Sequence, residues 1–161
     1  MRLWMAIVGL SLCGVTGCGM QPVEWNDPQD GCTVRFPGKP NVEPTTVAGQ
    51  PARELWLKPR GGSIRLLAVP VIAEAAAERL IAETLAQPLQ QQGFTIDEQA
   101  RLPQGTDVIQ RVIGTMPERN LAARIQAVRS GTGLWILTAI GNPEWMQSPD
   151  VVTCFDSLKR R

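Results

Sequence analysis

Four cysteines and no histidine, in a chain of 161 residues, decide which chemistry is open to it. Without an imidazole the commonest general base and zinc ligand are missing, and every Ser/His or Cys/His catalytic pair is excluded. Sulfur is what remains: Cys13 and Cys18 near the start, Cys32 and Cys154 further along. Asp97, Glu98 and Asp107 offer oxygen atoms, but no Asp-x-Asp-x-Asp array accompanies them, so neither calcium nor another metal is expected. Sixteen Lys and Arg stand among 15 Asp and Glu, interspersed along the chain, which gives no footprint for nucleic acid. The expectation is a protein without catalysis and without a cofactor.

Cys18 closes the stretch Val15-Thr16-Gly17-Cys18, behind a cationic Arg2 and the apolar run Leu3 to Leu12. That run is short for a membrane span, and small residues follow it, which is the layout of a secretory signal. The four residues resemble the lipobox of bacterial lipoproteins, in which an aliphatic, a small residue and a glycine or alanine precede the cysteine. The resemblance implies that residues 1–17 are a signal peptide and that Cys18 receives a diacylglyceryl group. Two or three acyl chains on one residue would hold the chain stably on a bilayer. The alternative is an uncleaved anchor helix over residues 3–20, which Gly9, Gly14, Gly17 and Gly19 make a poor helix interior. Gly19 after the cysteine points to the outer membrane where a cell has two. Residues 18–30, with two prolines and no hydrophobic period, are expected to be a flexible tether, and residues 31–161 a single globular domain.

With Cys18 lipidated and Cys13 removed, Cys32 and Cys154 are left, an even pair in an oxidising compartment. Cys32, Val34 and Phe36 alternate with polar residues as one face of a strand. Cys154 lies on the helical stripe Val151, Cys154, Phe155, Leu158. Both sulfurs point inward, so a bridge is expected, closing a loop of about 120 residues and adding roughly 4 to 5 kcal/mol. Two buried thiols packing as small hydrophobes are the alternative.

The body around them reads as strands near 32–36, 52–58, 63–71, 107–115, 121–129 and 133–141, with weaker candidates at 42–48 and 94–101. A helix is expected over 73–92, ended or kinked by Pro88. A second begins at Ser148-Pro149 and runs to the basic residues 159–161 at its negative dipole end. Leu121, Ala123, Ile125 and Ala127 alternate with Ala122, Arg124 and Gln126, predicting a strand with one wet face. In GLWILTAIG, Leu134, Ile136 and Ile140 should face one layer while Trp135, Leu137 and Ala139 face another. Gly61-Gly62 reads as a hairpin turn, and Phe36-Pro37-Gly38-Lys39 as a type II turn with Gly38 at positive φ. Asp156 and Ser157 are expected at the surface. The fold class is α+β: a mainly antiparallel sheet of about six to seven strands packed with two helices.

CTVRFPGKP near the start, LWILTAIG and the closing CFDSLKR together resemble a family of small exported bacterial domains similar to the PsbP/DcrB-like α/β sandwich. Trp135-Ile136 stands where that family often has an aromatic before L-T, and Met116-Pro117-Glu118-Arg119 replaces its P-G-R-E-like stretch. The resemblance implies the fold and no activity. Candidate partner contacts are Trp145 in the loop 141–146, Lys39 in the turn, and Trp56, for which core packing is the alternative. The expected function is that of a lipid-anchored extracytoplasmic binding or accessory module in the cell envelope, acting on another envelope protein. A small-molecule or lipid carrier using a cleft between helix and sheet is the runner-up, and a thiol-dependent enzyme using Cys32 or Cys154 ranks third.

Overall fold

The computed structural model describes residues 21–160; Cys13, Cys18 and the leader lie outside the described residues. The elements in chain order are β1 (Val23–Asp27), β2 (Cys32–Phe36), β3 (Asn41–Val47), β4 (Gln50–Leu57), β5 (Gly62–Val69), α1 (Glu74–Thr84) and α2 (Ala86–Gln91). They continue with β6 (Thr95–Gln104), β7 (Asp107–Met116), β8 (Leu121–Ser130), β9 (Gly133–Gly141), α3 (Pro143–Met146), α4 (Pro149–Ser157) and β10 (Lys159–Arg160). Seven strands form an antiparallel sheet in the order β3-β4-β5-β9-β8-β7-β6, and a second sheet has the order β1-β2-β10.

The large sheet is covered on both faces, and β9 shows why its sequence is apolar at consecutive positions. Leu134 and Ile136 enter a core with Ala77, Ile81 and Leu85 of the helix pair, and Ile140 packs against it. Trp135, Leu137 and Ala139 enter the opposite core with Val34 and Phe36 of β2 and Val151, Cys154 and Phe155 of α4. The strand therefore supplies two layers at once, as its pattern predicts. At about 25 cal/mol per Å², residues buried this completely supply the main drive for folding.

The wet face expected on β8 is not wet. Gln126 is buried and Arg124 retains 14% side-chain exposure, because α4 lies across them. The Arg124 guanidinium sits over the Phe155 ring at 4.2 Å, and Gln126 Nε2 donates to the Phe155 carbonyl at 3.3 Å. Alternation gave the right strand here, but the polar face is covered by a helix whose contacting residue, Phe155, lies 29 residues beyond Gln126 in the chain.

Helix expectations need two corrections. The segment 73–92 is broken at Leu85, before Pro88 rather than at it. A proline ring clashes with the carbonyl four residues earlier and offers no N–H to it, so the break opens next to Thr84. The last helix ends at Ser157, and Lys159 and Arg160 pair with Thr33 and Cys32 as β10 instead of completing the helix. Ser148 and Pro149 do begin that helix, although the Ser148 side chain makes no capping bond. Ser157 is not simply exposed: its hydroxyl accepts from Arg35 N at 2.8 Å and donates to the Cys154 carbonyl at 3.0 Å. Asp156 is exposed, as expected. The segment after Phe36 is a buried bend without positive φ at Gly38, so no type II turn forms there.

The flexible tether expected over 18–30 is also corrected, because β1 occupies 23–27 and pairs along its whole length with β2. What fixes it is Asp30, only 1% exposed. Trp25 Nε1 donates to Asp30 Oδ2 at 2.7 Å, Arg53 Nε to Oδ1 at 2.6 Å, and Trp135 Nε1 to the Asp30 carbonyl at 2.6 Å. Three side chains from β1, β4 and β9 thus meet one residue of the β1–β2 turn. Removing a carboxylate from such an arrangement leaves a cation and an indole N–H without their acceptor. Asp30→Ala is expected to cost about 3 kcal/mol, the low end for a broken buried pair because Arg53 still reaches solvent. Urea unfolding followed by tryptophan fluorescence measures it; a loss under about 1 kcal/mol would show that Asp30 joins nothing.

Candidate functional site

The two cysteines among the described residues are buried, as expected, but not bridged. Cys32 and Cys154 are both fully buried in the core between β2, α4 and the large sheet, and no disulfide joins them. Burial pushes the Cys154 thiol up to about 12, with the nearby positive charge of Arg124 pulling weakly the other way. Disulfide exchange runs through a thiolate, and this one is disfavoured. A nucleophilic role is opposed by the same desolvation.

Trp145, Lys39 and Trp56 fall on three different segments, α3, the bend after β2, and β4. The Trp145 ring is half-buried and lies on a floor of glycines: a Cβ added to Gly62 would sit 2.2 Å from Cζ3, and one added to Gly141 2.4 Å from Cε3. Its main-chain N–H is held by Asn142 Oδ1 at 2.8 Å, so the loop is packed against the sheet end as an anchor. Lys39 is exposed on the bend after β2. Trp56 is half-buried on β4, with Nε1 donating to Glu43 Oε1 at 3.3 Å.

Trp56 borders the concave part of the molecule. The helix pair α1–α2 is narrower than the sheet, so β3, β4 and β5 carry an uncovered face beside it. There Leu67, Ile125, Ile136 and Ile140 floor a cleft of about 430 Å³, walled by Thr84, Pro88, Leu89 and Gln92 on the helix side and by Thr45 and Val47 on β3. Glu54 and Arg65, paired to each other, separate it from a smaller hollow of about 310 Å³ at Trp56. Glu43 faces Glu54 across the β3–β4 register, a like-charge pair relieved by the bonds to Trp56 and Arg65. Volume and apolar lining are those of a small-ligand cleft. Its floor residues are visible in the sequence only as core positions, while Pro88, which the sequence marks as a helix break, forms part of its wall. Among the described residues no three Asp, Glu or Cys side chains gather as a metal site, and no helix is long and apolar enough to cross a membrane.

The raised Cys154 pKa has a consequence for stability. The unfolded chain loses its thiol proton near pH 9 and the folded one only near 12, so the folded state holds the extra proton in between. Stability in the thiol form is therefore full below about pH 9 and falls as pH rises toward 12, by up to about 1.4 kcal/mol per pH unit. Cys154→Ala should flatten that slope in urea titrations at pH 8.5, 10 and 11. An unchanged slope would place the loss elsewhere.

No known family's sequence profile matches the chain, and no curated protein sequence matches it. Among solved structures it is similar to the solution structure of cyanobacterial PsbP (CyanoP) from Synechocystis sp. PCC 6803. The TM-score is 0.57 with 10% identity over 94% of this chain and 99% of that one. Likeness at that identity speaks for the fold alone: the chain has an α+β, PsbP-like fold.

Proposed function

We propose that this chain is a lipid-anchored, extracytoplasmic accessory module that works through contacts with an envelope protein and performs no catalysis. The observation that carries the reading is the spacing between Cys18 and the first strand. Four residues, 19–22, separate the lipobox cysteine from Val23 of β1. Five residue steps reach at most about 18 Å, less than the width of the domain. A chain acylated at Cys18 would therefore be held against the bilayer at the β1 end rather than swung on a long linker. The PsbP-like fold is compatible with an accessory role, and the desolvated Cys154 argues against thiol chemistry. The outer membrane is the address this reading favours where two membranes exist.

The carrier reading is supported by one specific feature, the apolar cleft beside α2. A co-purifying lipid or small apolar molecule released on denaturation would favour it over the accessory role.

Mass spectrometry of the natively expressed chain is expected to find an N-terminal peptide that begins at Cys18 and carries a diacylglyceryl thioether. Cys18→Ala should move the chain from the membrane to the soluble fraction and remove the partners that in-cell crosslinking captures with the wild type. An unmodified residue 18, an intact leader, or the same crosslinks from the soluble variant would overturn the proposal.

A further inference from the structure

On the α4 face the cover ends at β8, and the next strand lies open. Val112 of β7 enters the core under the helix pair, so Ile109, Arg111 and Ile113 point to the other side, toward α4. Between them and the end of α4 runs a groove of about 540 Å³. Its floor is Ile109, Arg111, Gln126 and Val128, its wall on one side is Phe155, Asp156, Leu158 and Lys159, and Gln104 with the half-buried carboxylate of Asp107 closes its end at the β6–β7 turn.

Three buried polar atoms at or beside this floor, Gln126 Oε1, Arg111 Nε and Arg124 Nε, have no hydrogen-bond partner among the described residues. Gln126 is 4% exposed; its Nε2 is committed to the Phe155 carbonyl, which fixes the amide and leaves Oε1 as a buried acceptor with no donor. Arg111 stands directly opposite Gln126 in the β7–β8 register, and its buried Nε has no acceptor. Arg124, diagonal to Arg111, also has a buried Nε without an acceptor. Among the described residues each arginine has one loose carboxylate, Glu98 at 4.0 Å from Arg111 and Asp156 at 3.7 Å from Arg124. The arginine side chains are 29% and 14% exposed against 47% for Glu98 and 66% for Asp156, so positive charge lies inside and negative charge at the rim. Buried donors and acceptors left unpaired each cost about 1–3 kcal/mol, which a ligand that pairs them would recover.

The two unmet needs are complementary. Arginine asks for an oxygen acceptor, and Gln126 Oε1 asks for an N–H or O–H donor. A bare carboxylate meets the first need only, and an ammonium the second only. A carboxylate with an amide N–H on the adjacent carbon meets both, and Ile109, Val128 and Leu158 offer apolar surface for one side chain. We propose that this groove binds the C-terminal residue of a partner's peptide chain, its carboxylate on Arg111 and Lys159 and its last N–H on Gln126. The proposal rests on the protein-contact reading above and specifies its chemistry; the same chemistry is present in a free N-acyl amino acid, which the test separates.

The full chain, purified in detergent, is titrated by calorimetry with acetyl-Ala-Ala-Val as the free acid, with the same peptide as its C-terminal amide, with acetyl-valine, and with acetate. The free acid is expected to bind at least tenfold more tightly than the amide, acetate or acetyl-valine. Arg111→Gln, at a partly exposed position, should weaken the acid by about ten- to a hundredfold, the range of a charged hydrogen bond. Gln126→Leu should weaken the peptide acid similarly and leave acetate unchanged; unfolding midpoints check that both variants fold. Equal binding of acid and amide, no saturable binding at millimolar peptide, or an unaffected Arg111→Gln would overturn the site. Acetyl-valine matching the tripeptide would overturn the peptide assignment in favour of a small acyl amino acid. If the acid binds as described but in-cell crosslinking captures no partner, the groove stands and the accessory reading falls.

Discussion

One buried residue, Asp30, is hydrogen-bonded by side chains from both sheets of this protein. Its carboxylate is taken by Trp25 from β1 and Arg53 from β4, and its carbonyl by Trp135 from β9. Arg53 also lies 5.7 Å from the Trp25 ring centroid, so cation, indole and carboxylate form one closed set. A buried charge is tolerated only when paired and hydrogen-bonded. That requirement forces the β1–β2 turn down onto the large sheet and turns the segment before it into a strand. Without this constraint, residues 23–27 would have little reason to order: β1 contributes one partly buried apolar side chain, Trp25, to the core. The short span from Cys18 to the folded body, and with it the proposed closeness to a membrane, follows from where that carboxylate sits.

The second organising fact is a mismatch of widths. A seven-stranded sheet is too broad for the pair α1–α2 on one face and for β2 with α4 on the other. The central strands β9 and β8 are largely buried on both sides, β5 keeps Arg65 exposed, and the edges are open. β3 and β6, the outer strands, are largely exposed, and β6 carries charges, a proline and a bulge between Ile96 and Glu98, devices that blunt pairing with another chain. The two hollows fall at opposite ends of the strand order, one beside α2 over β3–β5 and one beside α4 over β7. Their linings differ because the residues beneath differ. The first is floored by Leu and Ile of β5, β8 and β9, whereas the second is floored by Arg111 and the buried Gln126, side chains with hydrogen-bonding capacity the chain leaves partly unused.

How much of this the sequence displays depends on whether a residue's partner is near it in the chain. β9 is legible from GLWILTAIG alone, because an apolar residue at nearly every position has no other placement than a strand covered twice. The Gly61-Gly62 turn is equally local, and Gly61 has the positive φ, 109°, that glycine allows. The polar face of β8 is not legible: Arg124 and Gln126 look solvated until α4 crosses them. Nor is the strand nature of Lys159-Arg160, since two basic residues after a helix suit its dipole as well as they suit pairing with β2. β1 could have been suspected from the alternation of Val23 and Trp25, but its anchor, an Asp30 whose partners include residues 23 and 105 positions away, is a tertiary fact. The two sites share this property. Cys18 is announced by its immediate neighbours, whereas Arg111 and Gln126 acquire meaning only when β7 and β8 are set in register and α4 covers β8 but not β7.

The same register fixes how the sites would be disposed on a membrane. β1 and β2 run antiparallel with Val23 opposite Phe36 and Asp27 opposite Cys32, so Pro22 and the bend bearing Lys39 share one end of the small sheet. β10 pairs at the other end, Lys159 with Thr33 and Arg160 with Cys32. An acyl group on Cys18 would hold the first end at the headgroups and leave Lys159, and the groove it borders, about three strand residues, roughly 10 Å, further away. Lys39 would then face lipid rather than protein, and the chain's contact with a partner would fall to the groove beside α4. Anchor and recognition would be separated along a single five-residue strand, β2, whose buried Val34 and Phe36 keep the two ends at a fixed distance.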